Sequence, residues 1–445
     1  MSHLLTRGGE AAAREAEAAR EAAARQERIS SFPSNGAQTA VTAALKSKVK
    51  IVSVYAEKGG VGKTTQSASL AWAMTQVDQG KTVLMYDCDS QRSLTNWLKG
   101  DEILQFNSYE EFVNRTDLHP NDNVLPRTLA RQLDPVRNNN AVTVQPAYAI
   151  QIRERLYLVP GDRQTVKYDA YVAQSDALMN FQPMNANVQG AAYHAIIATA
   201  EAVKADYVIL DLNPQRGSFN RCLVLSSHFI VVAVIADFFS FEMMRDFTQM
   251  MTDWRQEHEA NRVILQASAV QAGFAEHPSI NFPFPRHTPK FLGYVLSRYV
   301  PQTGHGRVLG QVQANGLAND HLPINLREWS ERILEQAQSI RHNLEIAGMS
   351  LPQATYDTIN RSVCLGMVSD FNTLSQLSGF FHRPAAYLLP EHFIRGFDDA
   401  GRPLPVNDNE AIDQQTRVIR FRNIEEACAD TIMRLIFAAP ATPPF

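Results

Sequence analysis

Cysteine is scarce in this sequence, and its few copies stand far apart. The 445 residues include four cysteines, and no two of them have the spacing of a metal-binding framework. The 12 histidines show neither H-x-x-H nor HExxH spacing. The sequence therefore argues against a disulfide scaffold, a zinc-type catalytic centre and a cysteine-held cluster.

Long hydrophobic runs and an excess of positive charge are also missing. No stretch approaches the roughly 18 apolar residues of a membrane span, and residues 1–9 hold no apolar run of the kind that marks a signal peptide. We therefore expect a cytoplasmic protein. The 42 basic and 46 acidic side chains give a net charge of −4, which argues against coating of nucleic acid by the whole surface.

A small group of arginines near the C-terminus allows two interpretations. Arg417, Arg420 and Arg422 stand close together in the sequence. They could form a patch that contacts phosphates, or simply the solvated face of a helix. Of the two, we expect the solvated face.

The N-terminal part, residues 1–48, differs from the rest of the chain. Glu10–Arg28 consists almost wholly of alanine, glutamate and arginine, with i,i+4 pairs of opposite charge, and this pattern predicts a helix without a core-facing stripe. Three interpretations stay open: a solvated helical extension, an artificial semi-rigid spacer, or a segment that docks a partner. Ser30–Gly36 then breaks the helix.

From residue 49 onward, short apolar runs alternate with helical patterns. The alternation predicts an α/β fold: a mainly parallel, twisted sheet with helices on both faces. We expect strands at Val49–Ala56, Thr82–Tyr86, Leu156–Pro160, Tyr207–Leu210, Phe229–Ile235 and Phe291–Leu296. We expect helices at Thr64–Gln76, Ala191–Lys204, Phe241–Trp254, Leu326–Ile346 and Ile424–Phe437.

The predicted strands and helices define a main domain with two interruptions and a tail. We assign residues 49–395 to one domain, with polar insertions near 100–150 and 301–358. Residues 396–445 form a loop and a final helix. That helix is amphipathic, but its first turns are acidic, so we expect it to pack on the core and not on a membrane surface.

The strongest chemical signal is a glycine-rich loop that follows the first predicted strand and opens the first predicted helix. Glycines in such a loop let backbone N–H groups converge on phosphate oxygens at a helix N-terminus. Lys63 would neutralise the β- and γ-phosphates, and the hydroxyl of Thr64 would bind Mg²⁺. We therefore predict a nucleotide site formed by Gly59, Gly60, Val61, Gly62, Lys63, Thr64 and Thr65.

The loop carries a second lysine, Lys58, and in this it resembles the deviant Walker A ATPases of the ParA/MinD superfamily, whose pattern is KGGxGKT[ST]. The resemblance implies a P-loop fold, ATP with Mg²⁺ as the ligand, and a homodimer that forms when ATP is bound. It also implies that Lys58 reaches the nucleotide of the partner subunit, where a cation stabilises developing phosphate charge.

Two further segments extend the resemblance. Asp87-Cys88-Asp89-Ser90-Gln91 is similar to the switch segment DxDPQ of that superfamily. By this match Asp89 orients or activates the attacking water, and Asp87 lies near the magnesium shell. Ser90 stands where the superfamily usually has proline, which changes the loop without removing a reactive group.

Another segment supplies a further carboxylate for the magnesium site that the resemblance implies. Asp206–Gln215 is similar to the superfamily's second carboxylate strand, so Asp211 takes the magnesium role, through water. Here Asn213 replaces the first proline of that segment. Ser297 stands where relatives carry an adenine-contacting asparagine, at the end of Leu292–Tyr299, and Val363–Pro384 resembles the closing segment.

These features predict an ATP hydrolase with slow basal turnover. The leading interpretation is a ParA-like partition or positioning ATPase whose ATP-bound dimer binds DNA without sequence preference, with the nucleoid as a candidate location, and whose hydrolysis is stimulated by a ParB-like partner. One alternative is a membrane-associated positioning ATPase like MinD, although the basic terminal helix of that group is absent from the sequence. The other is a nucleotide-switched scaffold that recruits partners through its N-terminal helix.

Overall fold

The computed structural model describes most of the main domain and the final helix. The described residues are 47–114, 125–137, 143–179, 181–274, 277–299, 324–360, 362–369, 373–397 and 403–440. The predicted N-terminal helix, part of both polar insertions and the last residues lie outside them.

One large sheet organises the fold. Its strands are β1 (Lys50–Tyr55), β2 (Val83–Asp87), β3 (Ile150–Arg153), β4 (Leu156–Val159), β5 (Tyr207–Asp211), β6 (Phe229–Val234), β7 (Lys290–Tyr299) and β8 (Cys364–Ser369). Their order is β3-β4-β2-β5-β1-β6-β7-β8. All neighbours run parallel except β3 and β4, which pair antiparallel at the edge. The expected parallel α/β sheet is confirmed.

Helices surround this sheet. They are α1 (Lys63–Val77), α2 (Ser93–Ile103), α3 (Tyr109–Asn114), α4 (Leu129–Arg137), α5 (Thr165–Leu178), α6 (Ala186–Ala202), α7 (Ser218–Ser226), α8 (Phe238–Gln271), α9 (Ile324–Ile346), α10 (Gln353–Ile359), α11 (Thr373–Phe380) and α12 (Asp408–Ala438). Two short strands, β9 (Ile394–Phe397) and β10 (Pro403–Pro405), form a separate hairpin. Within the described part of the chain, none of the helices could serve as a membrane span.

The central strands are apolar on both faces because helices cover both sides of the sheet. Residues 51–55 of β1 and the whole of β2 and β6 are buried. The register places Asp87, the last residue of β2, directly beside Asp211, the last residue of β5. Since parallel strands end at the same edge, two predicted site carboxylates meet there.

The first helix is sandwiched between the sheet and the last helix. α1 carries many small side chains and is buried along most of its length, since α12 packs against it and against β8. α12 begins at Asp408 with a capping box formed by Asn407 and Glu410, so it is about twice as long as the predicted Ile424–Phe437.

Candidate nucleotide site

The glycine-rich loop joins β1 to α1 in the conformation that its glycines permit. Gly60 and Gly62 have φ angles of 78° and 85°, in the left-handed region that disfavours side chains with a Cβ. Gly62 is also the residue that precedes the first turn of α1. The loop therefore presents its backbone at a helix N-terminus, where N–H groups and the helix dipole favour an anion.

A buried ion pair lies under this loop. The ammonium of Lys63 is 2.8 Å from Oδ1 of Asp211, and the two side chains are 6% and 0% exposed. The hydroxyl of Thr64 donates to Oδ2 of Asp211 at 2.9 Å, and that of Ser67 donates to Oδ1 at 2.9 Å. Asp211 therefore orients both residues that the sequence assigns to phosphate and Mg²⁺.

Asp87 lies beside this ion pair without a cation of its own among the described residues. Its Oδ2 accepts hydrogen bonds from the backbone N–H and the hydroxyl of Thr95, at 2.8 and 2.6 Å. Burial, followed by repulsion from Asp211, raises the pKa of Asp87 to about 7. Two neighbouring carboxylates of this kind favour a divalent cation close by.

Asp89 follows on the switch segment, at the wall of the open cavity. Its Oδ1 accepts a hydrogen bond from the N–H of Gln91 at 2.9 Å, which fixes the turn after β2. The cavity has a volume of about 500 Å³, within the range of small-ligand sites. Asp89 shares its lining with Lys63 and Thr64, so these three predicted residues surround one space.

Ser297 is brought to the same cavity from the end of β7. It is buried, and its hydroxyl accepts a hydrogen bond from the side-chain amide of Gln66 at 3.0 Å. A Cβ placed on Gly62 would lie 3.4 Å from the Ser297 side chain. Ser297 therefore packs against the phosphate loop itself, and its role in holding adenine stays a prediction.

Lys58 also lines this cavity, but its ion pair lies outside the buried cluster. Its ammonium lies 2.5 Å from Oδ2 of Asp237, on the loop between β6 and α8, with side-chain exposures of 42% and 26%. It also lies over the ring of Phe239, 4.8 Å from the centroid. Lys58 is thus accessible but bound within its own subunit. The action of Lys58 on the nucleotide of a partner subunit stays a prediction.

Sequence reasoning missed several residues that line the cavity. Arg298 has a left-handed φ of 57° and donates from Nη1 to the carbonyl of Gly60 at 2.8 Å. No sequence signal marks this contact, because it joins positions 238 residues apart. Ser67 could have been found, since it stands one helical turn after Lys63 on α1 and so lies on the same face. Further lining residues are Gln66, Ser93, Pro214, Val368 and Ser375.

The residues present suit Mg²⁺ held together with a nucleotide. Among the described residues no group of three or more His, Cys, Asp or Glu side chains could hold a metal alone. Mg²⁺ characteristically takes one or two carboxylates and completes its shell with water and substrate phosphates. The Thr64 hydroxyl, Asp211 and Asp87 provide such a partial set of hard oxygen ligands.

Comparisons with known proteins agree with this fold. Residues 49–264 match a family model described as an AAA domain, whereas no curated protein matches the sequence. Protein DIP2308 from Corynebacterium diphtheriae is 20% identical, with 75% of this chain and 97% of that chain covered and a TM-score of 0.52.

Two further structures are more distant. Cobyrinic acid a,c-diamide synthase from Mycobacterium smegmatis, with bound ATP analogue and magnesium, is 20% identical over 56% of this chain and 73% of its own, with a TM-score of 0.34. The ParA protein of pNOB8, bound to nonspecific DNA, is 13% identical over 88% of this chain and 100% of its own, with a TM-score of 0.43.

Proposed function

We propose that this chain is a P-loop ATPase of the ParA/MinD type and acts as an ATP-dependent dimerising switch that positions or partitions DNA or another large cargo. The match of residues 49–264 to a model of an AAA domain supports the nucleotide-binding part of this proposal. The observation that carries the proposal is the arrangement of the two loop lysines. Lys63 is buried on Asp211, whereas Lys58 is accessible at the rim of the same loop.

The two lysines suit different tasks. Lys63 and Thr64 lie at the start of α1, where a nucleotide phosphate would meet backbone N–H groups as well. In our proposal Lys63 exchanges the Asp211 carboxylate for a phosphate oxygen, while Asp211 keeps the Thr64 hydroxyl oriented. Bound Mg²⁺ would neutralise phosphate charge. Lys58 is 42% exposed and pairs with Asp237 at the rim of the loop, which suits a role across the dimer.

Hydrolysis then depends on Asp89. Its carboxylate faces the cavity from the switch segment and is fixed by the Gln91 N–H. From there it can orient a water molecule toward the terminal phosphate, as the resemblance implies. We expect slow turnover by the isolated protein and stimulation by a ParB-like partner. Non-specific DNA binding belongs to the ATP-bound dimer in this proposal.

The decisive experiment compares three lysine variants. Lys63→Ala should lose ATP binding in a calorimetric titration, because it removes the phosphate cation. Lys58→Ala should bind ATP normally but stay monomeric by light scattering with ATP and Mg²⁺. Lys81→Ala is the matched control, since Lys81 is also half-exposed and ion-paired, with Asp206 at 2.9 Å. Normal ATP-dependent dimerisation by the Lys58 variant would overturn the proposal.

The catalytic and DNA parts have separate tests. Asp89→Ala should dimerise with ATP yet release phosphate far more slowly than the parent. An unchanged hydrolysis rate would remove Asp89 from the mechanism. For DNA, we expect an ATP-dependent, salt-sensitive shift of duplex DNA. No retardation at low salt with ATP would leave a positioning switch that acts without DNA.

A further inference from the structure

Three arginines from separate parts of the chain meet on one side of α1. Arg153 ends the edge strand β3, Arg383 follows α11, and Arg422 belongs to α12. They surround the rings of Trp72 and Tyr387, which stack with their centroids 5.7 Å apart and are both 6% exposed. The convergence is a property of the fold, since the sequence separates these arginines widely.

The aromatic pair lies within cation–π distance of all three guanidinium groups. Arg153 and Arg383 lie 5.2 and 5.7 Å from the Trp72 centroid, and Arg422 lies 5.6 Å from that of Tyr387. A cation–π contact uses none of the five N–H donors of a guanidinium, so donors that are not engaged within the protein remain for phosphate. All three side chains are half-buried, so part of each one faces solvent.

Neutral carbonyl groups are the hydrogen-bond acceptors of these arginines. Arg383 donates to the carbonyl of Tyr387 at 3.4 Å, and Arg422 donates from Nε to that of Ala386 at 3.1 Å. The side-chain oxygen of Gln76, in the amide orientation that satisfies both of its polar atoms, accepts from Arg153 at 2.6 and 2.8 Å. Among the described residues, no carboxylate lies within 4.0 Å of the three guanidinium groups.

The nearby acids compensate this charge only at a distance. Glu391 interacts electrostatically with Arg383, and Glu426 with Arg422, but among the described residues neither lies within 4.0 Å of its partner. Glu425 is fully buried beneath it, and burial raises its pKa to about 8, so it stays mostly protonated at neutral pH. Burial, followed by repulsion from Arg383, lowers the pKa of Arg153, so two of the three guanidinium groups are close enough to repel each other.

We propose that Arg153, Arg383 and Arg422 form a second phosphate-binding site that contacts the sugar–phosphate backbone of DNA. Trp72 lies nine residues after Lys63 on α1, or about 14 Å along the helix, so this site is separate from the nucleotide cavity. Several half-exposed guanidinium groups on an open surface suit a chain of phosphates, whereas a single small anion is usually enclosed. The assignment rests on the proposed function, which includes DNA binding.

The test measures binding of fluorescent duplex DNA to the ATP-loaded protein at several salt concentrations. Arg153→Gln, Arg383→Gln and Arg422→Gln are combined in one variant. Each lost phosphate contact should reduce the slope of log K against log salt by about 0.9, or about 2.7 per protomer for all three. We expect DNA affinity at low salt to fall at least tenfold, with ATP binding and dimerisation unchanged.

A matched control separates local contact from total charge. Arg262, Arg332 and Arg434 each pair with a glutamate or aspartate on their own helix, at 2.6, 2.7 and 2.8 Å. Their combined replacement by Gln changes the net charge equally and should leave the salt slope close to that of the parent. If the two triple variants lost DNA affinity and salt slope equally, the assignment of the site would be wrong.

Three further results test the assignment of the site. Replacement of Arg153, Arg383 and Arg422 by Lys keeps the charge and should retain most of the salt slope, which guards against a folding defect in the Gln variant. If the parent dimerises with ATP but binds no DNA, the site assignment falls while the switch stands. Thermal stabilisation by inorganic phosphate without DNA binding would show a site for free phosphate and overturn the DNA assignment.

Discussion

The contact between Lys58 and Asp237 gives a quantitative prediction about dimerisation. If Lys58 must reach a partner subunit, it first has to leave Asp237 and the ring of Phe239. Replacing Asp237 by Asn removes the negative charge but keeps the N-cap, because Asn accepts the Ser240 N–H as well as Asp does. Asp237→Asn should therefore strengthen ATP-dependent dimerisation.

The size of the effect follows from the exposure of the pair. Partial burial of Asp237 opposes its ionisation, but hydrogen bonds from Lys58 and Ser240 outweigh this and lower its pKa. A pair as exposed as this one contributes about 0.2–1 kcal/mol. Because both protomers release a lysine, the dimer dissociation constant should fall by about 2- to 30-fold. The contact with Phe239 stays in place and keeps the gain modest.

Sedimentation equilibrium with a non-hydrolysable ATP analogue measures this constant without turnover. Asp246→Asn is the matched control, since Asp246 lies on α8, is half-exposed, and faces Arg216 at 3.7 Å. The control should leave dimerisation unchanged. Weaker dimerisation of the Asp237 variant would refute the reasoning, because Asp237 would then be needed in the dimer itself.

Three further predictions concern stability. Burial raises the pKa of Glu425 to about 8 from an ordinary 4.5. The free energy of unfolding should therefore fall by about 1.4 kcal/mol per pH unit as pH rises between these values. The Tm of Glu425→Gln should accordingly exceed that of the parent by a margin that grows across this pH range. Burial lowers the pKa of three histidines to about 4, namely His194, His258 and His287. Because the unfolded chain then binds protons that these buried rings do not, each histidine should lower the free energy of unfolding by about 1.4 kcal/mol per pH unit as pH falls from 6.5 to 4, which chemical denaturation measures. Gly190→Ala should lower the Tm sharply, because a Cβ would come 1.8 Å from the carbonyl oxygen of Phe282, whereas Gly379→Ala, with open space, should be tolerated.

Local signals were sufficient for the centre of the sheet and for the phosphate loop. The runs that predict β1, β2, β5 and β6 are buried on both faces, so their apolar character is continuous and unambiguous. The loop glycines are required by backbone conformation, which a sequence shows directly. Asp87 and Asp211 end two such strands, and the resemblance to the superfamily segments predicted a magnesium role for both; their direct pairing in the sheet is a finding of the structure.

Other elements depend on tertiary packing that composition does not reveal. The prediction Phe241–Trp254 covers less than half of α8, because the helix continues through the polar run Arg255–Arg262 and beyond it buries few side chains, Leu265 and Ala269. The edge strand β3 is only four residues long and pairs antiparallel, so it carries a weak pattern. The contacts of Lys58 with Asp237 and of Arg298 with Gly60 join distant positions through loops. The periodicities of helices and strands relate residues that are close in sequence, so they cannot predict such pairs.

The charge balance of the nucleotide site indicates that ATP binds there together with a divalent cation. Lys63 pairs with Asp211, whereas the neighbouring Asp87 has no cation within ion-pair distance in the described part of the site. Burial, followed by repulsion from Asp211, raises the pKa of Asp87 to about 7, so negative charge at this position is unfavourable without a further cation. A nucleotide triphosphate adds further negative charge and draws Lys63 toward itself, which leaves Asp211 less compensated. A divalent cation beside Thr64 restores the balance, so we expect the site to favour ATP with Mg²⁺ far more than ATP alone.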